Sequence, residues 1–167
     1  MTYTIRPVRP SDLAAVTEVE AICFPAAEAA TGESFKARIV AFPECFFVAE
    51  SEGKIIGFIN GCATDSKTIC DEMYENSACH KTDGAYQSIF GLDVLPDYQR
   101  QGIAADLMNH MIGDAKNKGR KGLILTCKDR LIHYYAKFGY KNMGVSESVH
   151  GGAVWYDMIL EFGAQES

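Results

Sequence analysis

The spacing of apolar residues switches between a period of two and a period of three to four along the chain, and each switch predicts a new element. Residues 3–8 alternate as a strand, and apolar residues then recur at helical spacing over 12–23. Ser11 is the predicted N-cap of that helix, and Ser34 that of a second helix that ends before Pro43.

The rest of the chain is predicted in the same way. Residues 45–50 and 55–64 form a predicted hairpin, a long polar connection follows, and a strand over 88–94 leads to a helix that begins near Gly102. A strand over 122–127, a short helix and two closing strands complete the chain. Strands followed by helices around one central crossover predict an α/β fold with a mixed sheet. We expect a single domain over residues 1–167.

Composition narrows the classes of function. The net charge of −6 and the pI near 5.2 argue against nucleic acid as a partner. No apolar run has the length of a membrane span and the N-terminus lacks an apolar signal-peptide core, so we expect a cytoplasmic protein without a membrane partner. None of the six cysteines forms a C-x-x-C pair, and the histidines do not cluster, so no metal site is expected.

The segment between the strand at 88–94 and the long helix is suited to bind an anion. Its small residues let an anion approach the backbone, and the unpaired N–H groups of the helix start point toward it, helped by the helix dipole. A diphosphate group fits such a segment. The residues concerned are Gln99, Arg100, Gln101, Gly102, Ile103 and Ala104.

A second motif follows some thirty residues later. It begins at Tyr135 and ends with Gly139 and Tyr140, after the strand at 122–127 and the short helix opened by Asp129. Adjacent helical positions point in different directions, so Tyr134 and Tyr135 cannot both face the same site. The spacing Tyr-x-x-x-Gly-[Phe/Tyr] selects Tyr135.

The two motifs together resemble the acyl-CoA site of the GNAT family, the Gcn5-related N-acetyltransferases, whose diphosphate loop reads [Arg/Gln]-x-x-Gly-x-[Gly/Ala]. The stretch over 125–140 is most similar to the arylalkylamine (serotonin-type) branch, and the resemblance covers residues 5–158. It implies a central sheet that splays between the strands at 88–94 and 122–127, with helices around it. It also implies acetyl-CoA as the cosubstrate.

The resemblance assigns roles to residues of both motifs. The backbone of Leu92, Asp93 and Val94 pairs with the pantetheine arm, and the Val94 N–H polarises the thioester carbonyl. Tyr135 corresponds to the general acid that protonates the leaving thiolate. The side chain of Asp93 alternates with those of its neighbours and is either structural or directed toward the acceptor.

The expected base is where the sequence departs from the serotonin-type branch. The His-x-His pair of that branch corresponds here to Ser88 and Phe90, neither of which is a base at neutral pH. Ser88 can still hold a water chain. Glu28, Glu33 and His133 are the remaining candidates, because they lie in segments expected near the acceptor or the thioester.

The sequence leaves several acceptors open. A primary amine of the arylalkylamine or polyamine type, attacking directly in a ternary complex, is the leading expectation. A protein or aminoglycoside amine is an alternative with the same fold. A further alternative is a protein that is not an enzyme but an acyl-CoA-binding module. The absence of the His-x-His pair supports it. A monomer and a homodimer are both compatible with the sequence.

Overall fold

The computed structural model describes residues 2–163. These form five α-helices and nine strands, and the strands are arranged in two sheets. The elements are β1 Thr4–Pro7, α1 Leu13–Cys23, α2 Gly32–Ala41, β2 Phe46–Ser51, β3 Lys54–Asn60, β4 Ala63–Thr64, α3 Asp71–Glu75, β5 Tyr86–Ile89, β6 Gly91–Val94, α4 Ile103–Asn117, β7 Gly122–Cys127, α5 Ile132–Ala136, β8 Lys141–Val145 and β9 Tyr156–Glu161.

The first sheet is antiparallel in the order β1-β2-β3-β6 and is buried on both faces. Along β2, Phe46 and Val48 pack with α1 and α2, while Phe47 and Ala49 pack with Leu107 and other apolar residues of α4. Because both faces are covered, this strand is a nearly continuous apolar run.

The second sheet has the order β4-β5-β7-β9-β8, and it is mixed because β5 and β7 run parallel while its other pairs are antiparallel. The buried residues of β7, including Leu123 and Leu125, join the same core cluster as α4. Helix α4 therefore packs against both sheets and fixes their relative position.

The two sheets separate at Phe90. Strand β5 ends at Ile89 in the second sheet, and β6 begins at Gly91 in the first. Gly61 stands opposite this break, where a Cβ would lie 1.9 Å from the carbonyl oxygen of Ser88, so no larger residue fits. The predicted strand over 88–94 is thus two strands, and the predicted strand over 55–64 is likewise divided into β3 and β4.

The α/β fold expected from the sequence is confirmed, with the splayed sheet resolved into two. Both predicted caps are wrong. Ser11 lies inside a 3₁₀ turn, so that α1 has Asp12 as its N-cap, and Thr31 rather than Ser34 caps α2, its hydroxyl oxygen accepting from the Ser34 N–H at 3.2 Å. The long polar connection contains α3. In residues 2–163 no helix combines the length and the apolar character that crossing a membrane requires.

Candidate active site

A cavity of about 700 Å³ opens where the sheets separate. One side is the edge of β6, and the opposite side is the end of β7 from Leu125 to Cys127, which extends beyond the last residue of β5. Helices α1 and α2 with their connecting segment, together with residues of α3 and α5, complete the walls. The volume lies in the range typical of small-molecule sites.

The edge of β6 leaves backbone groups facing the cavity. Leu95 N–H donates to the Ile56 carbonyl at 2.9 Å, and the alternation of an antiparallel ladder then turns the N–H groups of Val94 and Leu92 away from β3. The Val94 carbonyl on this side accepts from Gln99 Nε2 at 3.0 Å. The Val94 N–H is therefore available to a ligand in the cavity.

The predicted anion loop ends at the start of α4 with a distinctive backbone. Gly102 has a φ of +84° and Arg100 a φ of +64°, so both residues have a left-handed backbone conformation. Such a conformation groups backbone N–H donors around a concavity. Gly102 is the N-cap of α4 and supplies no side-chain cap, so the N–H groups of Ile103 and Ala104 lack partners within the helix. Arg100 and Gln101 are exposed beside them.

Tyr135 lines the cavity from α5. Its ring makes edge-to-face contacts with Tyr134 at 5.2 Å and Tyr140 at 6.0 Å between ring centroids, and Tyr140 is almost fully buried. Burial, with smaller contributions from Cys127 and other neighbours, raises the pKa of Tyr135 well above its ordinary value. Its hydroxyl has no hydrogen-bond partner among residues 2–163, and the raised pKa keeps it protonated.

Three of the residues predicted to take part in proton removal lie away from the cavity, and of the predicted anion loop only Gln99 and Ala104 line it. Ser88 is fully buried in β5, and its hydroxyl donates to the Cys62 carbonyl at 2.7 Å. Glu33 in the first turn of α2 and His133 on α5 are exposed to solvent and do not line the cavity. The expectation that these three residues take part in proton removal does not fit the structure.

Glu28 does line the cavity, but its carboxylate is already engaged. Its Oε2 lies 2.7 Å from Nζ of Lys128, which follows β7. The Lys128 ammonium also lies 5.7 Å from the centre of the Trp155 ring. Protonation of Glu28 would remove the negative charge that pairs with Lys128.

His150 is a cavity residue that the sequence analysis did not single out. Its Nε2 lies 2.8 Å from the Glu28 carbonyl, and because a carbonyl can only accept, Nε2 carries the hydrogen. The ring stacks on Tyr74 at 5.1 Å, and Trp155 Nε1 donates to the His150 carbonyl. In the neutral ring, Nδ1 is then an available acceptor.

A buried polar cluster lies at the floor of the cavity and was also missed. It consists of Glu20 of α1, Arg38 of α2, Asn60 of β3 and Asp93 of β6, each less than 8% exposed. Burial and the adjacent Glu20 carboxyl raise the pKa of Asp93 well above its ordinary value, while Arg38 acts in the opposite direction. The Asp93 side chain thus lies near α1 and α2, on the face of β6 opposite to the side chains of Leu92 and Val94.

Comparisons with known proteins agree with this fold. Human N-acetyltransferase 8 is 29% identical over 105 residues, which are 61% of this chain and 40% of that protein. The loading GNATL domain of CurA from Lyngbya majuscula is 17% identical, with a TM-score of 0.84 and coverage of 96% of this chain and 98% of that chain. The GphF GNAT-like decarboxylase in complex with isobutyryl-CoA is 21% identical, with a TM-score of 0.82 and coverage of 95% and 98%.

These similarities do not distinguish the arylalkylamine branch from the others. The acetyltransferase (GNAT) family matches residues 13–140, which is most of the chain. This chain therefore belongs to the GNAT acetyltransferase family, as the two sequence motifs predicted.

Proposed function

We propose that this protein transfers an acetyl group from acetyl-CoA to a primary amine of a small molecule, by direct attack in a ternary complex. One observation carries the proposal. The free edge of β6, the two ends of the anion loop at Gln99 and Ala104, and Tyr135 with its unpartnered hydroxyl all line the same cavity. Holding a diphosphate, polarising a thioester and protonating a thiolate need these three features.

Each residue has one task in the proposed reaction. The amides of the loop from Gln99 to Ala104, with Arg100 beside them, bind the diphosphate of acetyl-CoA. The Val94 N–H donates to the thioester oxygen as negative charge develops on it. The ammonium first loses a proton to water, and the neutral amine nitrogen bonds to the carbonyl carbon. The C–S bond breaks as Tyr135 gives its hydroxyl proton to the departing thiolate, and the proton that the nitrogen loses on becoming an amide restores the phenol.

The cavity favours a small acceptor over a protein chain. It is walled by aromatic residues, among them Phe24, Phe90, Tyr74 and Trp155, and by the segment that joins α1 to α2. Apolar walls with a few convergent polar groups are typical of small-molecule sites. An arylalkylamine fits this lining better than a polyamine does.

The proposal is tested by following loss of the acetyl-CoA thioester with a panel of arylalkylamines, polyamines, lysine peptides and aminoglycosides. Turnover with arylalkylamines alone supports the proposal in full. Turnover only with peptides would support acetyl transfer but would reject a small molecule as the acceptor. Tight acetyl-CoA binding without turnover of any amine would contradict the proposal and favour a binding module.

A second candidate is decarboxylation of an acyl-CoA that carries a carboxylate, as malonyl-CoA does. The fold likeness to a GNAT-like decarboxylase suggests it, and Arg38 supplies a buried cation whose Nε lacks a hydrogen-bond partner. The reaction would release carbon dioxide and place a proton on the remaining acyl carbon. Consumption of malonyl-CoA without any amine, with acetyl-CoA as the product, distinguishes this candidate from the first.

A further inference from the structure

A row of aromatic rings forms one wall of the cavity. The centroids of adjacent rings are 5.0 Å apart between Phe90 and Tyr74, 5.1 Å between Tyr74 and His150, and 6.1 Å between His150 and Trp155. All four residues line the cavity, and we call them the aromatic row. The row begins at Phe90, where the two sheets separate, and ends at Trp155, just before β9.

Every hydroxyl and ring nitrogen of the aromatic row except one already has a hydrogen-bond partner. The Tyr74 hydroxyl shares a hydrogen bond of 2.7 Å with Thr126 Oγ1, and Trp155 Nε1 donates to the His150 carbonyl at 2.8 Å. His150 Nε2 donates to the Glu28 carbonyl at 2.8 Å. The exception is His150 Nδ1, which has no partner among residues 2–163 and is not one of the atoms that they enclose.

The His150 ring is held in one tautomer and one orientation. Because the Glu28 carbonyl can only accept, the hydrogen of the neutral ring lies on Nε2, and Nδ1 presents a lone pair. The ring stacks on Tyr74 with an interplanar angle of 20°. Asp71 of α3 holds the adjoining backbone, since its carboxylate accepts from the Val149 N–H at 3.1 Å. His150 is thus a preorganised hydrogen-bond acceptor in a wall that is otherwise apolar or satisfied.

The aromatic row also separates this acceptor atom from the proposed reacting centre. Phe90 lies directly before Gly91, the first residue of β6, and β6 carries the Val94 N–H that is proposed to polarise the thioester. Tyr74 contacts both Phe90 and His150 and lies between them. An amine whose nitrogen reaches the thioester would therefore lay its apolar part along Phe90 and Tyr74, with the far end of that part at His150.

We propose that the acceptor amine carries a hydroxyl group on its aromatic ring, and that His150 selects this amine by accepting a hydrogen bond from the hydroxyl at Nδ1. This inference rests on the proposed acetyl transfer. Aromatic faces stack well on an aryl group, and one unpartnered acceptor atom matches one donor. A ring that lacks a donor would leave Nδ1 unpaired once the cavity is filled, which costs binding free energy.

Matched amines test the inference through kcat/KM. Tyramine and meta-tyramine carry a ring hydroxyl, phenethylamine lacks it, and the methyl ether of tyramine has the oxygen but cannot donate. We expect kcat/KM to be about tenfold or more higher for at least one hydroxylated amine than for phenethylamine and the ether, because a site that hydrogen-bonds a hydroxyl discriminates against the analogue without it. Equal kcat/KM for all four amines would overturn the inference.

Replacement of the ring nitrogens tests the assigned residue. His150→Phe keeps an aromatic ring beside Tyr74 and removes the acceptor atom, so the preferred hydroxylated amine should lose about tenfold in kcat/KM and phenethylamine much less. His110→Phe is the matched control, because it makes the same replacement at an exposed position on α4 and should keep the preference. An equal loss for both amines in His150→Phe would overturn the inference, since it would indicate a role in proton removal or in folding instead.

Binding without turnover separates this inference from the proposed function. CoA, which has no acetyl group to transfer, is bound first, and each amine is then titrated by calorimetry. We expect a preference of about tenfold in Kd for the hydroxylated amine in the parent protein and none in His150→Phe. Equal Kd values in the parent protein would overturn the inference even if acetyl transfer is observed. Absence of turnover with every amine would instead reject the proposed function, and the ratio of Kd values would still decide the inference.

A spectroscopic measurement on the parent protein decides the same question if His150→Phe fails to fold. The nitrogen NMR signal of His150 Nδ1 should shift when the preferred hydroxylated amine is added to the CoA complex, and should shift much less with the methyl ether. The same small shift with both amines would overturn the inference.

Discussion

Replacement of Tyr135 by Phe should separate catalysis from stability. The hydroxyl has no hydrogen-bond partner among residues 2–163, so its removal breaks no protein–protein bond, and the ring contacts with Tyr134 and Tyr140 remain. We expect the free energy of unfolding to change by less than about 1 kcal/mol. Loss of a general acid should lower kcat by about 10²–10⁴-fold, or about 2.7–5.4 kcal/mol in activation free energy.

The assay follows thioester absorbance rather than released thiol, because the exposed thiol of Cys70 would react with a thiol reagent. Tyr134→Phe is the matched control, since it removes the same group from the adjacent cavity residue. Because burial raises the pKa of Tyr135, the phenol stays protonated, and no alkaline loss of activity should arise from it below about pH 10. Full turnover by Tyr135→Phe would refute the general-acid assignment.

Three further perturbations have defined outcomes. Gly102→Val places a β-branched residue at a φ of +84°, so acetyl-CoA affinity measured by calorimetry should fall by at least about tenfold, with a stability cost of about 1–2 kcal/mol. Leu107→Ala removes a fully buried side chain of α4 and should cost about 2–5 kcal/mol in denaturant unfolding, whereas an equally large effect at exposed Asn109→Ala would contradict the packing argument. Burial opposes ionisation of Asp12, but hydrogen bonds from Arg6 and Arg9 outweigh this effect and lower its pKa. The contribution of Asp12 to the free energy of unfolding is therefore present above about pH 4 and is lost as pH falls through the lowered value. Asp12→Ala should weaken this acid sensitivity, as measured by urea unfolding at several pH values.

The sequence predicted the elements on which the candidate cofactor site depends. The period of apolar residues along α4 and the small residues at its start are local properties, so the loop from Gln99 to Ala104 could be located without coordinates. The break at Phe90 could not be located in this way. It depends on the close approach of Gly61 to the Ser88 carbonyl, which joins residues far apart in the chain.

The buried polar cluster and His150 on the other side of the cavity were harder to predict, because these residues come from five separate segments. Glu20 and Arg38 occupy positions on the apolar faces of α1 and α2, beside Val19 and Ile39, and a charge at such a position is a readable signal of a buried polar cluster. His150 gave no such signal. Its place follows from the bond to the Glu28 carbonyl, a contact across 122 residues.

Because the two sheets separate at the cavity, the free energy of unfolding should also depend on ligand concentration. Any ligand that contacts both β6 and the end of β7 binds the folded chain and not the unfolded one. Such a ligand raises the free energy of unfolding by about 2.7 kcal/mol when its concentration is 100 times its Kd. The melting temperature of this protein should therefore report the concentration of its own substrate, and resistance to proteolysis should follow the same dependence.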